Sequence, residues 1–121
     1  MKVLIVDDSK AMRLIVGRTL RQAGFEDVDV AEAANGVEGL AAVEAEQPDL
    51  VLSDWNMPEM SGLDFLKALR ARGDGRPFGF VTSEGSDAMR GMAADAGALF
   101  LVAKPFTPES FRDVVSPVLA G

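Results

Sequence analysis

LVLSDWNMPEMSG, residues Leu50 to Gly62, opens with an apolar run short enough for one buried strand. It places the carboxylate of Asp54 at the strand's end and turns through Asn56, Pro58, Ser61 and Gly62. A carboxylate so placed is available for chemistry. An aspartate at a strand exit is, however, more often a turn former or a helix cap, so its meaning depends on what stands at the other strand ends.

The flanking sequence repeats the same strand-turn-helix pattern. Val3 to Val6 is a continuous apolar run, expected to be a strand buried on both faces, and it ends in Asp7-Asp8. Ser9 then caps a predicted helix from Lys10 to Ala23, with Met12, Ile15, Val16, Thr19 and Leu20 along one face and Gly24 as its stop. A weakly marked strand follows at Val28 to Ala31. After a turn at Asn35-Gly36, the residues Val37, Leu40, Ala41 and Glu44 recur at helical spacing until Gln47-Pro48.

Downstream of the Leu50 to Ser53 strand, a helix from Leu63 to Ala71 carries Leu63, Leu66 and Leu69 with Phe65, and Gly73 to Pro77 form its exit loop. Phe78 to Val81 is a fourth strand, ending at Thr82. Ser86 or Asp87 caps a short helix that stops before Gly97, and Gly91 weakens it by ~1 kcal/mol relative to alanine. Leu99 to Ala103 is the fifth strand, followed by Lys104-Pro105. Thr107 and Pro108 fit the cap and first position of a last helix, which Pro117 is expected to end or kink within three turns, leaving a short tail. Strands alternating with helices in this way imply one parallel sheet with helices on both faces.

Composition narrows the chemistry. The chain has 121 residues, 48% of them hydrophobic, enough for one domain spanning residues 1–121 to bury a core without staples. It has no cysteine and no histidine, which removes disulfides, thiolate and ordinary zinc sites, and histidine bases; a metal here would be held by oxygen, favouring magnesium, calcium or manganese. A formal charge of -7 argues against direct nucleic-acid binding. The apolar runs fall far below the ~20 residues that span a bilayer and no long signal-peptide core is evident, so a cytoplasmic location without membrane insertion is expected.

In a parallel sheet all strands point one way, so Asp7, Asp8, Asp54, Thr82 and Lys104 lie along one edge. Ligands of open α/β sheets bind there, in the crevice where the strand order reverses. With the order 2-1-3-4-5, the first and third strands flank that crevice and bring Asp7-Asp8 beside Asp54. Three carboxylates so close repel one another and have raised pKa values unless a cation joins them. Lys104 brings one positive charge against three negative ones. A hard divalent cation such as magnesium, together with Lys104, would neutralise a carboxylate nucleophile and clamp the oxygens of a phosphoryl group, one of which Thr82 could hydrogen-bond. Taken singly, Asp7-Asp8 could be a loop and cap, Thr82 a strand residue bonded to backbone, and Lys104 a surface charge. Together they form the combination that phosphoryl transfer needs.

The Asp-Asp pair after the first strand, SDWNMPEMSG around Asp54, VTSE around Thr82 and AKPFT around Lys104 resemble the receiver domain of bacterial response regulators, particularly the CheY-like stand-alone members, over essentially the whole chain. The resemblance implies a flavodoxin-like (CheY-like) doubly wound α/β fold with five parallel strands in the order 2-1-3-4-5. It implies that Asp54 is the phosphoacceptor, taking a phosphoryl group from a histidine kinase or phosphotransfer protein in a two-component phosphorelay, chemotaxis included. Asp8 and Asp54 would ligate Mg2+ directly, Asn56 through its backbone carbonyl and Asp7 mainly through water. Thr82 and Lys104 would contact the phosphoryl group, Lys104-Pro105 would be cis, and Asn56 and Glu84 would tune hydrolysis of the aspartyl phosphate. The output protein would bind at the face formed by the fourth helix, fifth strand and fifth helix, and the chain would act as a monomer. It would not be a free-standing enzyme, catalysing only its own phosphorylation and dephosphorylation.

One position departs from the family pattern. Members usually carry Tyr or Phe three residues before the lysine, and here Leu101 stands there, with Phe100 facing the other way. The signal is therefore expected to travel mainly through the loop after Thr82 and the Gly91-weakened helix. Three rivals are disfavoured. A hydrolase of the haloacid dehalogenase type would want an aspartate where Asn56 stands, and a flavin carrier would want a phosphate-cradling loop after the first strand. A phosphorylation-independent binding module would not need the full acidic set with Thr82 and Lys104.

Overall fold

Val3, Leu4, Ile5 and Val6, like Leu50, Val51 and Leu52, are each at most 2% exposed, which a strand achieves only when both faces of its sheet are covered. In this computed structural model, which describes residues 1–120 with side chains as far as Val118, they form the centre of one parallel sheet. Its strands are β1 (Lys2–Val6), β2 (Asp29–Ala33), β3 (Leu50–Ser53), β4 (Phe78–Thr82) and β5 (Phe100–Ala103). They lie in the order β2-β1-β3-β4-β5, the order expected. The helices are α1 (Lys10–Gln22), α2 (Gly36–Glu46), α3 (Gly62–Ala71), α4 (Asp87–Ala96) and α5 (Pro108–Ala120).

Alternation along the strands splits the core in two. Leu4, Val6, Val51, Phe78, Phe80 and Leu101 face Val43 of α2, Phe65, Leu66 and Leu69 of α3, and Met89 and Ala93 of α4. Val3, Ile5, Leu50, Leu52, Val81 and Val102 face Val16 and Leu20 of α1 and Phe111 and Val115 of α5. Phe100 packs with this second cluster and Leu101 with the first, the opposite facing expected of neighbours on a strand. Serines close the N-termini of three helices: Ser9, Ser61 and Ser86 accept from the backbone N–H of Met12, Asp64 and Met89.

Several expectations need correction. β2 runs two residues further than Val28 to Ala31, because Val28 N–H is used by Phe25 in the turn after α1 and pairing with β1 begins at Asp29. Leu99 stands outside β5 and is 58% exposed. Ile15 is 42% exposed; it lies about 100° around the helix from Val16, past the edge of the stripe that α5 and the sheet cover. On α2, Val37 and not the glycines is exposed: the inward positions are Gly36, Gly39 and Val43. A Cβ on Gly36 would lie 2.8 Å from the Met60 side chain, and one on Gly39 2.8 Å from the Phe65 ring, so α2 packs through missing volume rather than through apolar bulk. Asn35 is the cap of that helix, accepting from Glu38 N–H. Pro117 does not end α5, which continues to Ala120. The amide that proline lacks frees the carbonyl of Asp113, an exposed residue whose carbonyl water can serve. Gly121, at the end of the tail expected after Pro117, lies outside the described residues.

Candidate functional site

β1 and β3 are neighbours with Val6 opposite Ser53, so Asp7, Asp8 and Asp54 leave the sheet side by side. The ladder continues one step past the strands: Asp54 N–H donates to Val6 C=O at 2.8 Å and Asp7 N–H to Ala33 C=O at 3.1 Å. One carboxylate oxygen from each of Asp7, Asp8 and Asp54 lies within 4.8 Å of the others. Asp7 is buried, Asp54 half-buried and Asp8 exposed. Lys104 reaches in from the end of β5, with Nζ 3.7 Å from Asp7 Oδ2, and its own N–H donates to Thr82 C=O at 2.7 Å. The Lys104-Pro105 bond is cis.

The carboxylates are held from the backbone. Asp7 Oδ1 accepts from Ser9 N–H at 2.9 Å, and Asp54 Oδ1 from Trp55 N–H at 2.8 Å. The Asp54 carbonyl accepts from Ser53 Oγ at 2.8 Å, and Gly62 N–H donates to Trp55 C=O to close the loop between β3 and α3. Gly62 lies against that loop so closely that a Cβ there would stand 2.0 Å from the Asp54 carbonyl oxygen. Thr82 is wholly buried at the end of β4, and its hydroxyl accepts from Glu84 N–H at a long 3.4 Å. Asn56 and Glu84 are exposed on the two loops that border the crevice.

Two arginines make contacts that are not legible from spacing. Arg13 Nη1 donates to the Asp7 carbonyl at 2.6 Å and Nε to Glu32 at 2.9 Å, fixing the turn after β1. Arg90 Nη1 donates to the Leu101 carbonyl at 3.0 Å. Long side chains that reach main-chain oxygens on other elements leave no periodic trace in a sequence.

Burial pushes the Asp54 carboxyl above the usual carboxylate range; Lys104 opposes this, and Asp7 and Asp8 add to it. Asp7 is raised for the same first reason, with Ser9 N–H and Lys104 opposing. Desolvated, mutually repelling carboxylates beside one ammonium leave a deficit of positive charge. The donors are all hard oxygens and converge, so the residues present fit a divalent cation of the magnesium type.

The family model of the response regulator receiver domain matches residues 3–116. The chain belongs to that family. This receiver domain is 44% identical over 124 residues to the chemotaxis protein CheY1 of Helicobacter pylori, covering 98% of this chain and 97% of that protein. It is 40% identical over 122 residues to a chemotaxis protein CheY homolog of Campylobacter jejuni, covering 98% and 92%. Among solved structures, the chemotaxis protein CheY4 of Vibrio cholerae superposes with a TM-score of 0.84 at 37% identity, covering 97% of each chain. No helix among the described residues of the receiver domain is long and apolar enough to cross a membrane.

Crowded carboxylates are expected to make the stability of the receiver domain depend on pH and on any cation they bind. A carboxyl whose folded pKa exceeds its unfolded one contributes stability that is fully present below the unfolded value and lost as pH rises through the folded value. Asp7 and Asp54 are of this kind. Asp74 is the reverse: the hydrogen bond from Arg76 lowers its pKa, so its contribution is present above the unfolded value and lost as pH falls through the folded one. Without metal, Asp54→Asn should therefore melt higher than wild type near neutral pH, by roughly 3–6 °C for a gain of about 1 kcal/mol. Asn keeps the acceptor for Trp55 N–H. Magnesium at a hundred times its Kd should stabilise wild type by ~2.7 kcal/mol. Calorimetry in chelator and in magnesium checks both, and a lower-melting Asp54→Asn in chelator would refute the crowding argument.

Proposed function

We propose that this receiver domain is a phosphoacceptor switch of a two-component phosphorelay, working in the cytoplasm on a protein target. The observation that carries the reading is the convergence of the Asp7, Asp8 and Asp54 carboxylates within 4.8 Å beside Lys104. One Asp54 oxygen is committed to Trp55 N–H, which leaves the other to attack the phosphorus of a phosphohistidine as the P–N bond breaks. Asp7, Asp8, Asp54 and the backbone carbonyl of Asn56 would hold Mg2+, which when bound supplies neutralisation of the carboxylates and of the transferring oxygens. Lys104 Nζ, already beside Asp7, would pair with a phosphoryl oxygen, and the Thr82 hydroxyl would donate to another once it turns from its long contact with Glu84. Asn56 and Glu84, exposed at the rim, are placed to govern the access of water to the aspartyl phosphate. The domain catalyses these two steps on itself alone. Identity to CheY proteins of chemotaxis supports a chemotactic setting. The test is phosphotransfer to Asp54 from a phosphohistidine donor or acetyl phosphate with divalent cation present.

Output is assigned to the face of α4, β5 and α5. Thr82→Ala should abolish phosphorylation-dependent binding of the output protein, because it removes the group that senses the phosphoryl oxygen. Leu101→Ala should leave that dependence nearly intact, although it opens a cavity beside Phe80 and Met89 and costs about 2–5 kcal/mol of stability. Affinities measured with and without a phosphoryl mimic separate the two; if Leu101→Ala uncouples binding as fully as Thr82→Ala, position 101 is the relay.

A further inference from the structure

Leu101 is 7% exposed and offers no polar atom beyond its backbone, yet its carbonyl is engaged: Arg90 Nη1 donates to it at 3.0 Å. That bond joins α4 to β5, an edge strand whose only sheet neighbour among the described residues is β4. The same guanidinium borders the loop after Thr82. A Cβ built on Gly85 would lie 3.3 Å from Arg90 Nη2, 3.0 Å from Ala103 Cβ and 3.7 Å from Leu101 Cδ2. Gly85, three residues beyond Thr82 and beside the residue preceding Lys104, thus borders Ala103, Arg90 and Leu101 with room for little more than one methyl group between them.

Arg90 also stands between two grooves. One, of about 180 Å3, is lined by Ala93, Ala94 and Leu99; the other, of about 370 Å3, by Pro105, Phe106 and Ser110; Arg90 and Leu101 border both. A cation four residues after the Ser86 cap opposes the helix dipole, so its placement there calls for a compensating contact, and the Leu101 carbonyl supplies one.

We propose that Arg90 is the positioning residue that carries the phosphorylation signal from the loop after Thr82 to β5 and its two flanking grooves, in a domain that has no aromatic ring at position 101. The proposal rests on the reading of Asp54 as phosphoacceptor. When Thr82 turns to a phosphoryl oxygen, residues 83–85 shift, Gly85 displaces the guanidinium, and the bond to the Leu101 carbonyl breaks or re-forms elsewhere. Both grooves change shape together, because one side chain walls both. The bond goes to the main chain, which is why truncating the Leu101 side chain leaves it in place.

The experiment is hydrogen exchange on the full chain, with and without magnesium plus beryllium fluoride as phosphoryl mimic, in wild type, Arg90→Met and Arg90→Lys. Met keeps the apolar stem and removes the donors. Wild type should respond in residues 83–96 and in residues 99–106. In Arg90→Met, acetyl phosphate should label Asp54 within about twofold of the wild-type rate. Residues 83–85 should still respond, and the response of residues 99–106 should shrink about tenfold, as expected for loss of a charged donor. Arg90→Lys, with a donor on a comparable stem, should retain part of it. An undiminished response at residues 99–106 in Arg90→Met overturns the proposal. So does a loss that includes residues 83–85 or Asp54 labelling, since Arg90 then acts on the site and not beyond it. If wild type neither takes label nor responds, the phosphoacceptor reading itself is wrong and the proposal falls with it.

Discussion

Asp54→Asn should take up no label from phosphohistidine or acetyl phosphate, a loss of about a thousandfold or more, and excess chelator should do the same to wild type. The neighbouring acids are poor substitutes. Asp7 has one oxygen accepting from Ser9 N–H and the other facing Lys104, and it is 4% exposed, so a donor cannot reach it in line. Asp8 is open to solvent, and among the described residues neither of its carboxylate oxygens is fixed by a backbone N–H as Asp54 Oδ1 is. Asp54 alone combines a fixed oxygen, a free oxygen and partial exposure. Mass spectrometry of the labelled protein checks this: label on Asp7 or Asp8 in Asp54→Asn, or undiminished labelling in chelator, would sink the assignment. Lys104→Met should still bind metal but label more slowly, because it removes the ammonium beside Asp7 that would pair with a phosphoryl oxygen.

What can be read from residues alone is the part that hydropathy and turn chemistry encode. Val3–Val6, Leu50–Leu52 and Phe78–Val81 are uninterrupted by polar residues, and each is followed by a polar residue that the parallel sheet brings to one edge. The inward face of α2 escapes such a reading because Gly36 and Gly39 have no hydropathy to report; they are there for the space that Met60 and Phe65 fill. Arg13 and Arg90 read as surface charges, since their partners are carbonyls six and eleven residues away. Pro117 reads as a helix breaker by rule, yet one missing amide at an exposed turn is tolerated by a helix already anchored through Phe111 and Val115.

Gly62→Ala should be the most damaging small substitution in the chain, and Gly91→Ala a stabilising one. At Gly62 the added carbon would stand 2.0 Å from the Asp54 carbonyl oxygen and 3.0 Å from the Phe80 ring, and the first of these is backbone that cannot rotate away. α3 cannot retreat, since Phe65, Leu66 and Leu69 are at most 1% exposed and anchor it in the core. The loop from Asp54 to Ser61 must therefore move, taking with it the Gly62 N–H bond to Trp55 and the seat of the Asp54 carboxylate. Overpacking against backbone costs about 3 kcal/mol or more, a drop of roughly 10 °C or more in a domain of this size. The remaining folded protein should label Asp54 at least about tenfold more slowly, because misplacing a reacting group by a fraction of an ångström is enough. A Cβ on Gly91, by contrast, would meet nothing within 4 Å, and the residue lies inside α4, where alanine is favoured by about 1 kcal/mol. Thermal melts of the two variants, with acetyl phosphate labelling of each, separate the cases: if Gly62→Ala melts and labels like wild type, the close approach to Asp54 does not constrain the site.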